Sequence, residues 1–184
     1  MPTAIEVIKA EHRALNSVLF ALHVISRKAL RAGGKPDFLW LRTLIEYVDR
    51  FSERLHHPKE ELYLFRVLER RTPELGRSIA RLRREHAADA GHSIRMREAL
   101  ANWERGDPKA GPLFVHVASD FARFNWRHMR REEREILPAA EAVFTDADWR
   151  QIDQAFAANR DPLASSETRQ ECEAALRLLQ PRQA

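Results

Sequence analysis

The chain has 184 residues, 44% of them hydrophobic and 32% charged, which is enough for one domain with a sizeable core and too apolar for a disordered chain. The net charge of +4 is modest, and the arginine clusters (Arg81, Arg83 and Arg84, for example) read as solvated helix faces, so nucleic acid is not an expected partner. A single cysteine, Cys172, excludes an internal disulfide and makes a reducing cytoplasm the expected location. No apolar run approaches the ~18 residues of a membrane span, so no membrane partner is expected either. Glycine and β-branched residues are sparse while Ala, Leu, Arg and Glu dominate, which favours helix over a sandwich or barrel.

Punctuation divides the sequence into four long helical stretches. Residues 3–31 carry Ile5, Ile8, Leu15, Leu19 and Leu22 at helical spacing. Gly33-Gly34-Lys35-Pro36-Asp37 ends that stretch and offers Asp37 as the N-cap of the next, residues 38–70, with Leu41, Leu44, Val48, Phe51 and Leu55. Thr72-Pro73 is the second break, followed by residues 74–104. The third break runs from Gly106-Asp107-Pro108 through Gly111-Pro112, and residues 113–143 come next with Phe114, Val117, Phe121 and Phe124. Thr145-Asp146-Ala147-Asp148 opens a short fifth helix reaching about Asn159. The expected architecture is all-α: an up-down-up-down four-helix bundle with a short additional C-terminal helix, residues 1–160, and a partly helical or flexible tail, residues 161–184. Trp149 and Phe156 on the fifth helix are expected either to cover the bundle or to meet a second subunit, which makes a homodimer an open expectation.

The histidines carry the functional signal. Projected at ~100° per residue, His12 and His86 fall on the apolar stripes of the first and third helices. His128 and Glu132 fall on that of the fourth, and His56 and Glu60 on the flank of the second. A His and a Glu at i and i+4 stack on one face, so each HxxxE pair can grip a cation from one side. Depth agrees as well, since all four histidines lie at matching levels if neighbouring helices run antiparallel. Four imidazoles and two carboxylates suit a pair of iron or manganese ions, and coordination removes the cost of two lone carboxylates in a core. By the same projection His57 and Glu61 point outward, as a chance pair or as partners behind the ligands. His116, Asp120, Arg127, Arg130, Arg131 and Arg134 belong to the surface, His92 lies off the stripe, and His23 sits ~16 Å further along the first helix. Tyr63, one turn past Glu60, is either a lining group or packing. Only Glu53-Arg54-Leu55-His56 has the ExxH spacing of ferritin-like sites, which need two such motifs, and no HExxH or CxxC motif occurs.

These residues resemble the hemerythrin-like, or HHE cation-binding, family. The segment His56-His57-Pro58-Lys59-Glu60-Glu61-Leu62-Tyr63-Leu64-Phe65 is similar to the family's second-helix motif. The segment from His128 through Glu132-Glu133 to Leu137-Pro138 is similar to its fourth-helix motif, and Glu11-His12 and Glu85-His86 match its single-His helices. The resemblance implies a non-haem di-iron centre. His12, His56, His86 and His128 would be nitrogen ligands, and Glu60 and Glu132 bridging carboxylates. Two iron ions (Fe2+/Fe3+) are the implied cofactor, with manganese or zinc as alternatives, and Pro58 leaves open an exchange of His57 or Glu61 into the site. Classical oxygen carriers of the family place another His four residues after the third-helix ligand, where this chain has Ala90. The resemblance therefore implies an open iron position that meets dioxygen, peroxide or nitric oxide, with redox activity an open question. The competing expectation is a non-catalytic iron or oxygen sensor or a partner-binding helical module.

Overall fold

The computed structural model describes residues 3–33 and 35–158. The expected tail, residues 161–184, lies outside them. Among the described residues every regular element is helical. Helix α1 is Thr3–Arg31. Helix α2 spans 38–71, with π-helical turns at Asp49–His56 and Glu60–Phe65. A 3-10 turn, Pro73–Leu75, leads into α3, Gly76–Glu104. Helix α4 spans 110–143 with a π-helical turn at Glu132–Ile136, and α5 is Asp146–Ala157. No described helix is long and apolar enough to cross a membrane.

The boundaries reflect local chemistry. Asp37 caps α2 by accepting a hydrogen bond from the Trp40 N–H at 2.9 Å. Gly33 takes φ 62°, a left-handed conformation that ends α1. Helix α4 starts earlier than the expected residue 113, because Pro112 sits in its first turn, where its missing N–H costs nothing. Thr145 and Asp148 form a reciprocal capping box at the start of α5. Two of the π-helical turns, Asp49–His56 and Glu132–Ile136, trace to the proline that follows them. Pro58 and Pro138 offer no N–H to the carbonyls of Arg54 and Arg134. Upstream of each proline the backbone pairs one residue further back, with the His57 N–H on the Ser52 carbonyl and the Leu137 N–H on the Glu132 carbonyl.

Side-chain pairs set the helix directions. Along α2 the residues Arg42, Asp49, Glu61 and Glu69 meet Glu104, Arg97, His86 and Arg83 of α3, in falling order. Between α3 and α4, Ser78 meets Glu135, Glu85 meets His128 and Asp89 meets Asn125. Between α1 and α4, His12 meets Glu133 and His23 meets Ser119. All three neighbours are therefore antiparallel. Two apolar clusters result. One contains Leu15, Leu19, Leu44, Phe51, Phe114 and Phe121. The other contains Ile5, Ile8, Phe65, Leu82, Ile136 and Phe156. Helix α5 belongs to the second: Phe156 is fully buried, and Trp149 packs partly buried against the cluster.

One contact in this frame tests the packing. A Cβ at Gly111 would lie 2.8 Å from Trp103 Cε2 and 3.3 Å from Leu30 Cδ1. Gly111→Ala is expected to destabilise the fold by about 1–2 kcal/mol, overpacking outweighing the gain in helix propensity. That corresponds to a Tm lower by about 2–8 °C in a chain of this size. An unchanged or higher Tm would show that the Trp103 ring moves aside freely.

Candidate metal centre

Between the two apolar clusters lies a layer of buried ionisable groups. His12, His56, His57, Glu60, His86, His128 and Glu132 are all buried, and Glu60 and Glu132 are 0% exposed. The six residues singled out by helical spacing come together here as two overlapping groups. His12, His56, Glu60 and Glu132 form the first; His86, His128, Glu60 and Glu132 form the second. Within each group the ligand atoms lie within 4.8 Å of one another. Both carboxylates are common to both groups.

The orientation of each imidazole is fixed by an acid from a neighbouring helix. His56 Nδ1 donates to Glu11 at 2.8 Å, His86 Nδ1 to Glu61 at 2.9 Å, His128 Nδ1 to Glu85 at 3.0 Å and His12 Nδ1 to Glu133 at 2.9 Å. Each helix thus gives its acid to the histidine of the next, from α1 through α2, α3 and α4 and back to α1. With Nδ1 protonated, every Nε2 presents a lone pair inward. His12 Nε2 lies 3.4 Å from Glu132, His56 Nε2 3.2 Å from Glu60, and His128 Nε2 3.2 Å from Glu132. His86 Nε2 stands 3.5 Å from Glu60 and 3.7 Å from Glu132.

Two features of this arrangement call for a positive charge. The Nε2 atoms of His12 and His56 face each other at 3.2 Å, as do those of His86 and His128. None of the four oxygens of Glu60 and Glu132 accepts a well-formed hydrogen bond, although all are buried. Facing lone pairs and unsatisfied buried carboxylates are costly unless protons or cations sit among them. Nitrogen and carboxylate donors of this kind suit iron, manganese or zinc, so the residues fit a pair of transition-metal ions.

Without metal, protons take that role. Burial opposes charge on His128, but the nearby charge of Glu132 and the hydrogen bond to Glu85 override it and push the pKa to about 10. His86 is likewise driven up to about 9 by Glu132 and Glu60 against its burial. His56 rises well above its ordinary value through Glu60 and Glu11 despite burial, and His12 rises through Glu132 and Glu133. Burial and mutual repulsion favour neutral carboxyls, yet the imidazoles hold Glu60 below and Glu132 well below the usual carboxylate range. Glu85 drops to about 2 despite burial, beside His128, Arg81 and Arg131.

Several expectations need correction. His57, expected outward, is buried, and its ring stacks on His86 at 3.9 Å between centroids. The π-helical turn that ends at His56 turns the chain through less than the helical angle per residue, so a fixed projection misplaces the residues downstream of it. Tyr63 points outward at 38% exposure and does not line the site. Arg131, expected in a solvated stripe, is largely buried and donates to both oxygens of Glu85 at 2.8 Å. Glu61 is the partner behind His86. Glu11, Glu85 and Glu133 escape a reading helix by helix, because their contacts cross between helices; the doubling of acids beside each histidine and carboxylate (Glu11-His12, Glu60-Glu61, Glu85-His86, Glu132-Glu133) is the signal the sequence holds for them. His23 bonds Ser119, His92 packs between Phe121 and Phe124, and His116 pairs with Asp120 in solvent, all as non-ligands would.

Among the described residues, then, the chain is all-helical with a buried His/Glu layer compatible with cation binding. The model of the hemerythrin HHE cation binding domain matches residues 3–140, and the chain belongs to that family. No curated protein matches the sequence.

Proposed function

We propose that this chain is a di-iron protein of the hemerythrin type, with its four longer helices in an up-down-up-down bundle, that binds or reacts with dioxygen, peroxide or nitric oxide. His12 and His56 would hold one ion and His86 and His128 the other, with Glu60 and Glu132 shared between them. The observation that carries this reading is the double membership of Glu60 and Glu132 in two four-residue groups, each completed by two inward Nε2 atoms. The antiparallel pairings across α2/α3, α3/α4 and α1/α4 support the bundle topology.

Bound iron would supply electrons and Lewis acidity to a small ligand at an open position. The protein's own part is preorganisation. The four acids fix tautomer and ring angle, so the Nε2 atoms are aimed before any ion arrives. The two apolar clusters on either side keep bulk water from the layer. Loading displaces the imidazole protons, so metal uptake is accompanied by proton release.

The test is metal analysis with optical spectra on the full chain. The purified protein should hold about two irons, as two-metal sites do, and absorb in the near ultraviolet. Dioxygen, peroxide or nitric oxide should alter that spectrum. No transition metal after anaerobic reconstitution would overturn the proposal. Iron that binds without responding to any of the three ligands would leave a non-catalytic iron-sensing module instead.

A further inference from the structure

The net charge of +4 is unevenly placed along the chain. Residues 12–36 hold five basic residues and no acid, and residues 108–130 hold four basic residues and one acid, Asp120. These two segments together carry +8, so the rest of the chain carries −4. The fold lays them side by side along α1 and α4, where His12 meets Glu133, His23 meets Ser119 and Leu30 lies against Gly111. Between α2 and α3, arginines meet acids across the helices, as Arg42 does Glu104, Arg83 Glu69 and Arg97 Asp49. On the α1/α4 face Arg123 meets Asp120, but among the described residues Arg27, Lys28, Arg31, Arg130 and Arg134 form no ion pair. The excess positive charge reaches His23, whose pKa is lowered by burial and by Arg27 and Arg123.

Shape accompanies charge. Asn16, Trp126, Met129, Arg130, Glu133 and Arg134 line a recess of about 400 Å³ between α1 and α4. Further along α1, His23, Val24, Arg27, Lys28 and Arg31 line another of about 640 Å³. Phe20 stands on the turn between them, on the same side of α1, and is 46% exposed; Trp126 is 38% exposed. Helix α5 lies elsewhere, across α1 and α2, where it reaches Ala4 and Lys59. Lys28 and Arg31 suit the C-terminal end of the α1 dipole, but that accounts neither for Arg130 and Arg134 nor for the two exposed rings. We propose that this face of α1 and α4 is a docking groove for an acidic amphipathic helix of a partner protein. The apolar stripe of that helix would cover Phe20 and Trp126, and carboxylates near the two ends of the stripe would enter the two recesses. Asn16 and Arg27 are 11 residues apart, or ~16 Å along α1, so the carboxylates belong about three turns apart on a helix lying along the groove. Recesses of side-chain size favour a folded peptide over a flat lipid surface, and rings more than half buried offer little face for stacked bases. The groove does not depend on the two-ion reading.

Fluorescence anisotropy of the full chain with a labelled helical peptide tests this. The probe is about 18 residues long, enough to span ~27 Å as a helix, with a leucine stripe flanked by glutamates; a second peptide carries lysine in place of every glutamate. The acidic peptide is expected to bind, more weakly as salt rises, and the lysine peptide is not. The double variant Arg27→Glu/Arg31→Glu should weaken binding by about tenfold or more, since two exposed ion pairs give way to repulsion. Phe20→Ser should weaken it by about fivefold through loss of an apolar anchor. Arg77→Glu/Arg84→Glu makes the same change in net charge at two exposed positions of α3 and should leave binding unchanged. Circular dichroism checks that every variant keeps its helical content. No binding of the acidic peptide would overturn the proposal, as would equal affinity for the lysine peptide, or equal weakening by the α3 pair. Single-stranded DNA, phosphatidylserine vesicles and sedimentation of the chain alone are run beside the peptide. Tighter binding of the DNA or the vesicles, or self-association lost in the Arg27/Arg31 variant, would assign the face to that occupant and overturn the helical partner.

Discussion

Glu132→Ala is expected to empty both ion positions at once. One oxygen of Glu132 faces His12 and the other faces His86 and His128, so the residue serves both groups. His12→Ala removes a ligand from one group only, and that variant is expected to retain one ion. With free metal at about a thousand times the Kd of each site, each ion stabilises the fold by about 4 kcal/mol and the pair by about 8 kcal/mol. The Tm of Glu132→Ala in the presence of iron should therefore fall by about 16–32 °C relative to the loaded wild type. Metal content per chain and a melt with and without iron read the effect. A Glu132→Ala protein that still carries two ions would mean that the carboxylate is not shared.

Chelation of the wild type is expected to produce a similar drop in Tm, and the gap should widen with pH. In the metal-free chain the imidazoles of His56, His86 and His128 hold protons more tightly when folded than at their ordinary value of 6.5. Their contribution is complete below about pH 6.5 and is lost as pH rises through about 9 for His86 and about 10 for His128. Glu60 and Glu132 are held below their ordinary value of 4.5, so their contribution is present above that pH and lost on acidification. Metal-free protein should be most stable between about pH 4.5 and 6.5. The loaded protein, whose imidazoles carry metal instead of protons, should not weaken across pH 7 to 10. Thermal melts of both forms across that range check the claim, and parallel curves would contradict it.

Much of the site is legible in the sequence because straight helices translate spacing into position. The apolar stripe around Ile5, Ile8 and Leu15 places His12 inward, and the i, i+4 rule joins His56 to Glu60 and His128 to Glu132. The ends of the long helices are marked by Asp37, Pro73 and Thr145. Local deviation and contacts between helices are not legible. Spacing misplaces His57 because the π-helical turn upstream of Pro58 changes the angular step, a consequence of proline that a fixed projection does not convey. Arg131 looks like one of several surface arginines, and only the approach of α3 shows that it clamps Glu85. The acids Glu11, Glu61, Glu85 and Glu133 act across helix boundaries, so no single-helix projection pairs them with their histidines.

The circular hand-off of those four acids makes the site a gauge of helix register. Sliding α3 by one turn, ~5.4 Å, would withdraw His86 from Glu61 and Glu85 from His128 together. Every helix is thus answerable to two neighbours through charged, directional bonds, where apolar packing alone tolerates small slips. Cation capture by such a layer is a collective property of four correctly aligned rods. A fragment holding only α1 and α2 would keep the Glu11–His56 bond but leave His12 without Glu133, and half of the donor set would be missing with it.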